Sequence, residues 1–125
     1  MVQPNKPGTI TVDDIKRVPP EQITFIDVRK KPDDQQIRGA LRYDGQKLLE
    51  SQALSLPLDR DGKIVVYCGS GNSCVAVAEH MRKHGFRNVF ALEGGYAAAK
   101  EAGLPLEALT QQQPIPEAGN GHRLL

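Results

Sequence analysis

Residues 63–81 read KIVVYCGSGNSCVAVAEHM. Lys63–Tyr67 is a short, β-branched, nearly continuous apolar run, the pattern of a strand buried on both faces. From Ser73 to His84 the spacing becomes helical: Cys74, Val77, Ala78 and Met81 stand at i, i+3, i+4 and i+7, one apolar stripe. Gly85 follows, where a left-handed residue closes a helix. A strand running through a tight glycine-containing loop into a helix places Cys68 at the carboxyl end of that strand. Open α/β sheets collect their functional groups at such ends.

The same alternation extends in both directions. Ile23–Val28 (ITFIDV) reads as a second doubly buried strand, followed by a polar break from Arg29 to Asp34. Asn88–Leu92 reads as a third, and Glu93-Gly94-Gly95 then turns into a helix over Tyr96–Ala102, stopped by Gly103 and Pro105. Thr11-Val12-Asp13-Asp14 has the capping-box form, with an acid in place of the usual Glu or Gln. It predicts a short helix over Val12–Val18, ended by Pro19-Pro20. A brief strand is expected at Ala40–Tyr43 and a helix around Gln46–Leu54. Strands alternating with helices over short connections imply an α/β domain, with a parallel sheet and helices on both faces. Residues 1–8 (MVQPNKPG) read as a flexible N-terminal segment, 9–107 as the domain, and 108–125 as a flexible C-terminal tail poor in core residues.

Bulk properties narrow the function. A chain of 125 residues suits one domain. Sixteen Lys and Arg against fifteen Asp and Glu leave a net charge of +1, which gives neither nucleic acid nor an anionic membrane a clustered positive surface to bind. The apolar runs are far too short to cross a bilayer. The first twenty residues carry four prolines and no apolar core of a secretory signal, so a reducing cytoplasm is the expected location. Two cysteines six apart, with His80, His84 and His122 scattered, match no zinc pattern; no metal or cofactor is expected.

The loop carries the chemistry. Gly69, Gly71 and Asn72 tolerate left-handed backbone angles, so successive N–H groups can turn inward, and Asn72 or Ser73 can cap the following helix. A ring of N–H groups at a helix N-terminus favours negative charge at its centre, which biases a cysteine there toward thiolate. Such a ring would also hold an anionic persulfide. The competing reading is a small buried residue at a strand end, since free cysteine is among the most buried residue types. The lysine of a phosphate-binding P-loop is missing.

At this point the chain resembles a known family. FIDVR at 25–29, IRGA at 37–40, VVYCGSGNSCVAVAEHMRKHGFRNVFALEGG at 65–95 and AGLP at 102–105 resemble the rhodanese-like domain, in order and with matching gaps, over roughly residues 9–107. The resemblance, to the single-domain thiosulfate sulfurtransferase type, implies a central parallel five-stranded sheet flanked by helices. It also implies a catalytic cysteine, here Cys68, that takes a sulfane sulfur from a donor such as thiosulfate as a persulfide. An acceptor such as cyanide or a thiol, including a thiol-bearing protein, then removes that sulfur. The substrate loop maps onto Gly69, Ser70, Gly71, Asn72 and Ser73. A loop of this length suits sulfur in the superfamily, whereas the phosphatase relatives carry a longer one ending in arginine.

Departures from the pattern matter as well. Ser73 stands where many members have arginine, which argues against phosphatase or arsenate chemistry. Gln36 replaces a common histidine, Arg38 a proline, and Ala99 a tryptophan. Asp27 and Arg29 match the family's DVR segment beside the loop. Arg29 is a candidate to supply the positive field that Ser73 does not, against a local surface ion pair without a role in turnover; Arg38 is a second candidate cation. Cys74 has two readings: a core residue on the apolar stripe, or a resolving thiol that attacks the Cys68 persulfide and leaves a disulfide. Two other functional classes stay open: a non-catalytic binding module of the same fold, and a Cys68/Cys74 dithiol redox protein.

Overall fold

The structure, a computed structural model, describes residues 8–51, 56–70 and 73–115. In chain order its elements are β1 (Thr9–Ile10), α1 (Val12–Lys16), β2 (Ile23–Asp27), β3 (Gln35–Ile37), β4 (Leu41–Arg42), α2 (Gly45–Glu50), β5 (Lys63–Tyr67), α3 (Ser73–Lys83), β6 (Val89–Leu92), α4 (Gly95–Glu101) and β7 (Leu106–Ala108), with a 3-10 turn at Pro20–Gln22. Five strands form one parallel sheet in the order β1-β6-β5-β2-β4, so the sheet and its direction are as expected. β2 and β5 lie side by side in its middle, Ile23 opposite Lys63 and Asp27 opposite Tyr67.

Side-chain alternation along these strands splits the core in two. Ile26, Ile64, Val66, Val89 and Ala91 face a cluster closed by Leu48 of α2 and by Val77, Ala78 and Met81 of α3. Phe25, Val65, Tyr67 and Leu92 face the other side, closed by Val12 and Ile15 of α1 and by Tyr96 and Ala99 of α4. Because both faces are covered, Val65 and Val66 are both fully buried, and the run is apolar without a break.

Local chemistry sets the ends. Thr11 and Asp14 form the expected box: the Thr11 hydroxyl accepts from Asp14 N–H at 3.1 Å, and the Asp14 carboxylate accepts from Thr11 N–H at 3.3 Å. The helix stops at Lys16, two residues short of expectation, where Arg17 N–H closes back on Asp14 and Ile15. Thr11→Ala is expected to cost about 1 kcal/mol, read as a lower midpoint in chemical denaturation. The helix expected over Gln46–Leu54 ends at Glu50, and residues 52–55 lie outside those described. Gly85 takes φ +98 after α3, as a left-handed closing residue does.

The C-terminal boundary needs correction. Residues 108–115 are tied to the domain rather than loose. β7 pairs antiparallel with β3, Leu109 N–H donates to Asp34, Gln113 N–H donates to Arg42, and Ile115 packs on the α3-side core. The pin is Gln36, fully buried. Its amide donates to the Ala40 carbonyl at 3.1 Å and to Glu107 at 2.6 Å, and accepts from the N–H and hydroxyl of Thr110 at 3.0 and 3.1 Å. Residues 116–125, and 1–7 of the N-terminal segment, lie outside the described part; Gly8 already accepts a hydrogen bond from Ala91. Among the described residues no helix is long and apolar enough to cross a membrane.

Candidate active site

β5 delivers Cys68 to the carboxyl end of the sheet's centre, beside Asp27 and Val28 of the neighbouring strand end; Val28 N–H donates to Tyr67 at 3.0 Å. The backbone there is clamped from an unexpected side. The first turn of α4 has N–H groups without partners inside the helix. Tyr96 N–H donates to the Cys68 carbonyl at 2.7 Å and Ala97 N–H to the Gly69 carbonyl at 3.3 Å. Gly94 and Gly95 make this possible, both with positive φ, at +76 and +60. A Cβ at Gly94 would sit 2.6 Å from that of Ala98. Gly94→Ala is therefore expected to cost about 1–3 kcal/mol and to lower turnover, as α4 shifts off the Cys68 carbonyl. A denaturation curve and kcat on one sample check both.

Cys68 is only 4% exposed, whereas Gly69, Ser70 and Ser73 are exposed. Ser73 is the first residue of α3; Gly71 and Asn72, expected in the loop cradle, lie outside the described residues. Cys74, one residue into α3, is fully buried on the same core face as Cys68, with Val77, Ala78 and Met81 behind it. Its thiol hydrogen-bonds to the Cys68 side chain, and the backbone N–H groups of Cys68 and Cys74 also point to it. The bond to Cys68 and then burial hold the Cys74 proton far above the usual thiol range, and the charge of Cys68 adds to this. Cys74 is thus a core residue by packing, as its stripe implies, and also a direct neighbour of the nucleophile candidate. The two sulfurs are not bonded to each other.

Asp27 and Arg29 are brought to the same end of the sheet, in a form the sequence does not suggest. Arg29 is buried, and its guanidinium forks onto Asp27 with contacts of 2.6 and 3.0 Å; it also reaches the Gln35 carbonyl at 2.6 Å and Asp33 at 3.4 Å. The Tyr96 ring lies 3.9 Å and the Tyr67 ring 5.6 Å from its central carbon. Burial alone would lower the Arg29 pKa, but its hydrogen bonds and charge pairing with Asp27 outweigh that and raise it. The Tyr67 hydroxyl donates to Asp27 at 3.0 Å and accepts from Ile37 N–H at 3.1 Å; burial and then Asp27 push its pKa well up. This network locks the strand end preceding Cys68, and its cation is offset by two carboxylates. The expectation of a free positive field from Arg29 therefore meets a brace built around β2 and β5.

Arg38 sits elsewhere. It is exposed and lines an apolar cavity of about 310 Å³ with Ile15, Val18, Phe25 and Leu104, and Cys68 is not part of that lining. His80 bonds to the Ser51 carbonyl at 2.8 Å, which ties α3 to the end of α2, and His84, just past α3, bonds to the His80 carbonyl at 2.9 Å. Sequence reasoning missed the α4 amides and the Tyr67–Tyr96 box. The signal for the first was present in Gly94-Gly95, two glycines at the start of a helix.

Comparison with known proteins bears on the family and the fold. The family model described as Rhodanese-like domain matches residues 12–102. The tRNA uridine(34) hydroxylase of Sodalis glossinidius is 49% identical over 53 residues, 39% of this chain and 15% of that protein. The chain thus spans about 15% of the length of such curated relatives. Among solved structures, the Alr3790 protein from Anabaena sp. superposes with a TM-score of 0.67 at 28% identity, over 80% of each chain. A rhodanese-related protein from Thermoplasma volcanium gives 0.65 at 26% identity, over 79% of this chain and 96% of that one.

Proposed function

The chain belongs to the rhodanese-like domain family, and from that premise we propose that it is a sulfurtransferase working through a Cys68 persulfide. The observation that carries this reading is the placement of Cys68. It lies at the end of the central strand, its carbonyl held by α4, beside the N-terminal turn of α3, with the Cys74 thiol hydrogen-bonded to it. A helix N-terminus and an S–H donor both favour an anionic sulfur at that point.

The first half-reaction starts with attack of the Cys68 thiolate on the outer sulfur of thiosulfate or a related sulfane donor. A bond from Cys68 to that sulfur forms, the sulfur–sulfur bond of the donor breaks, and the electron pair departs with sulfite. In the second, cyanide or a thiol, free or on a protein, attacks the outer sulfur of the persulfide, and the electron pair returns to Cys68. Neither step calls on a metal or an organic cofactor. The loop residues Gly69, Ser70, Gly71, Asn72 and Ser73 are the assigned substrate binders in this reading, while Asp27 and Arg29 act at one remove by fixing the strand end. A reducing cytoplasm suits such a thiol.

The hydroxylation named for the curated relatives belongs to proteins of which this chain matches a small part, and a net charge of +1 offers a tRNA little attraction. A binding module of this fold needs no nucleophile, and Cys68 with its clamp weighs against that reading. Initial rates measured against both substrates test the proposal. Covalent sulfur transfer gives parallel double-reciprocal lines for thiosulfate and cyanide. Intersecting lines that converge on a ternary complex contradict it.

A further inference from the structure

We propose that Cys74 resolves the Cys68 persulfide, so that the protein also releases its bound sulfur as hydrosulfide and closes a Cys68–Cys74 disulfide; this activity rests on the sulfurtransferase reading above. Three observations carry it. Cys68 is the hydrogen-bond partner that holds the Cys74 proton, and both side chains lie in one buried apolar cluster. Cys74 is fully buried, so an external thiol has no access to it and its reaction partner is Cys68. Cys74 is buried in the same core cluster as Cys68, while Gly69 and Ser70, which follow Cys68 in the chain, are exposed. An outer sulfur carried by Cys68 toward those exposed residues would leave its inner sulfur open to Cys74 for thiol–disulfide exchange.

The bonding balances. The Cys74 sulfur attacks the Cys68 sulfur, a Cys68–Cys74 bond forms, and the bond from Cys68 to the outer sulfur breaks. That outer sulfur leaves with the electron pair and takes up the Cys74 proton as hydrosulfide. The two cysteines are oxidised and the sulfane sulfur is reduced. A dithiol reductant then restores both thiols and is itself oxidised to its disulfide. Cys68 and the surrounding core together keep the Cys74 proton in place at rest. Persulfide formation moves the Cys68 charge one atom outward, and the proton that Cys74 gives up passes to the departing sulfur. A serine at this position would supply the hydrogen bond but could not exchange sulfur.

Both cysteines lie between Lys63 and Arg82 with no other lysine or arginine in that stretch, so one tryptic peptide, residues 64–82, reports every state. The protein is loaded with thiosulfate without oxygen, desalted and incubated without acceptor. The expected wild-type course is a peptide gaining one sulfur and then falling two hydrogens below its reduced mass, as about one sulfide per chain appears. Cys74→Ser, which keeps a hydroxyl donor beside Cys68, should gain the sulfur and keep it, releasing sulfide at least about tenfold more slowly. Sulfur uptake by this variant shows that its site is folded; if it takes up none, the wild-type course alone decides. Equal release from wild type and variant, or a stable wild-type persulfide, overturns the resolving role and leaves the transfer reading standing. A wild-type peptide that never gains sulfur defeats both.

Discussion

Cys68→Ala is expected to abolish sulfur transfer, lowering thiosulfate:cyanide turnover by about three orders of magnitude or more while the fold survives. The chemistry leaves no substitute. In the proposed mechanism the outer sulfur of the donor is held covalently between two half-reactions, and the other cysteine is fully buried with its thiol kept protonated. The structural cost is small by comparison. Cys68 contributes one sulfur atom to a core face already filled by Ile26, Val66 and Val77, so its removal costs about 1 kcal/mol. Its main-chain anchor, the carbonyl accepting from Tyr96, does not depend on the side chain. Activity and melting temperature measured together separate the two effects; a variant that keeps full turnover would sink the covalent mechanism.

The second large effect is expected at Arg29. Arg29→Ala should destabilise the protein by about 3–5 kcal/mol, because it leaves Asp27 charged in the interior with its forked partner gone. That is a large share of the roughly 5–15 kcal/mol that holds a domain of this size together. Arg29→Lys should recover only part of it, since an ammonium cannot fork onto a carboxylate or lie flat against Tyr96. Chemical denaturation of the two variants is the check. A variant as stable as the parent, with KM for thiosulfate raised tenfold, would return Arg29 to the role of substrate cation.

Periodicity made much of the fold readable. ITFIDV, KIVVY and the run ending in Val89–Leu92 are apolar throughout because helices cover both faces of the sheet, and that forces a parallel α/β arrangement. The stripe of Cys74, Val77, Ala78 and Met81 named the buried face of α3 without error. The β3–β7 ladder escaped notice because short strands carry no period, and what orders them is Gln36 bonding to Glu107 and Thr110 across some seventy residues. The same contact explains why a Gln-rich, Pro-rich stretch that resembles a tail is fixed through Ile115. At the candidate site, the position of Cys68 at the end of a buried strand was readable from the pattern. The role of Arg29 was hidden, because its two neighbours in the brace, Tyr67 and Tyr96, come from separate elements that only the folded sheet brings together. Cys74 was legible as core from its spacing, but its contact with Cys68 depends on how the loop turns, which residue types do not specify.

The central claim is that Cys68 carries the transferred sulfur. The most direct measurement is fragmentation mass spectrometry of peptide 64–82 from protein exposed briefly to thiosulfate and quenched before acceptor is added. The result expected is one added sulfur on Cys68, with sulfite released in equal amount. Sulfur on Cys74 alone, or a peptide unchanged while turnover proceeds, would contradict it.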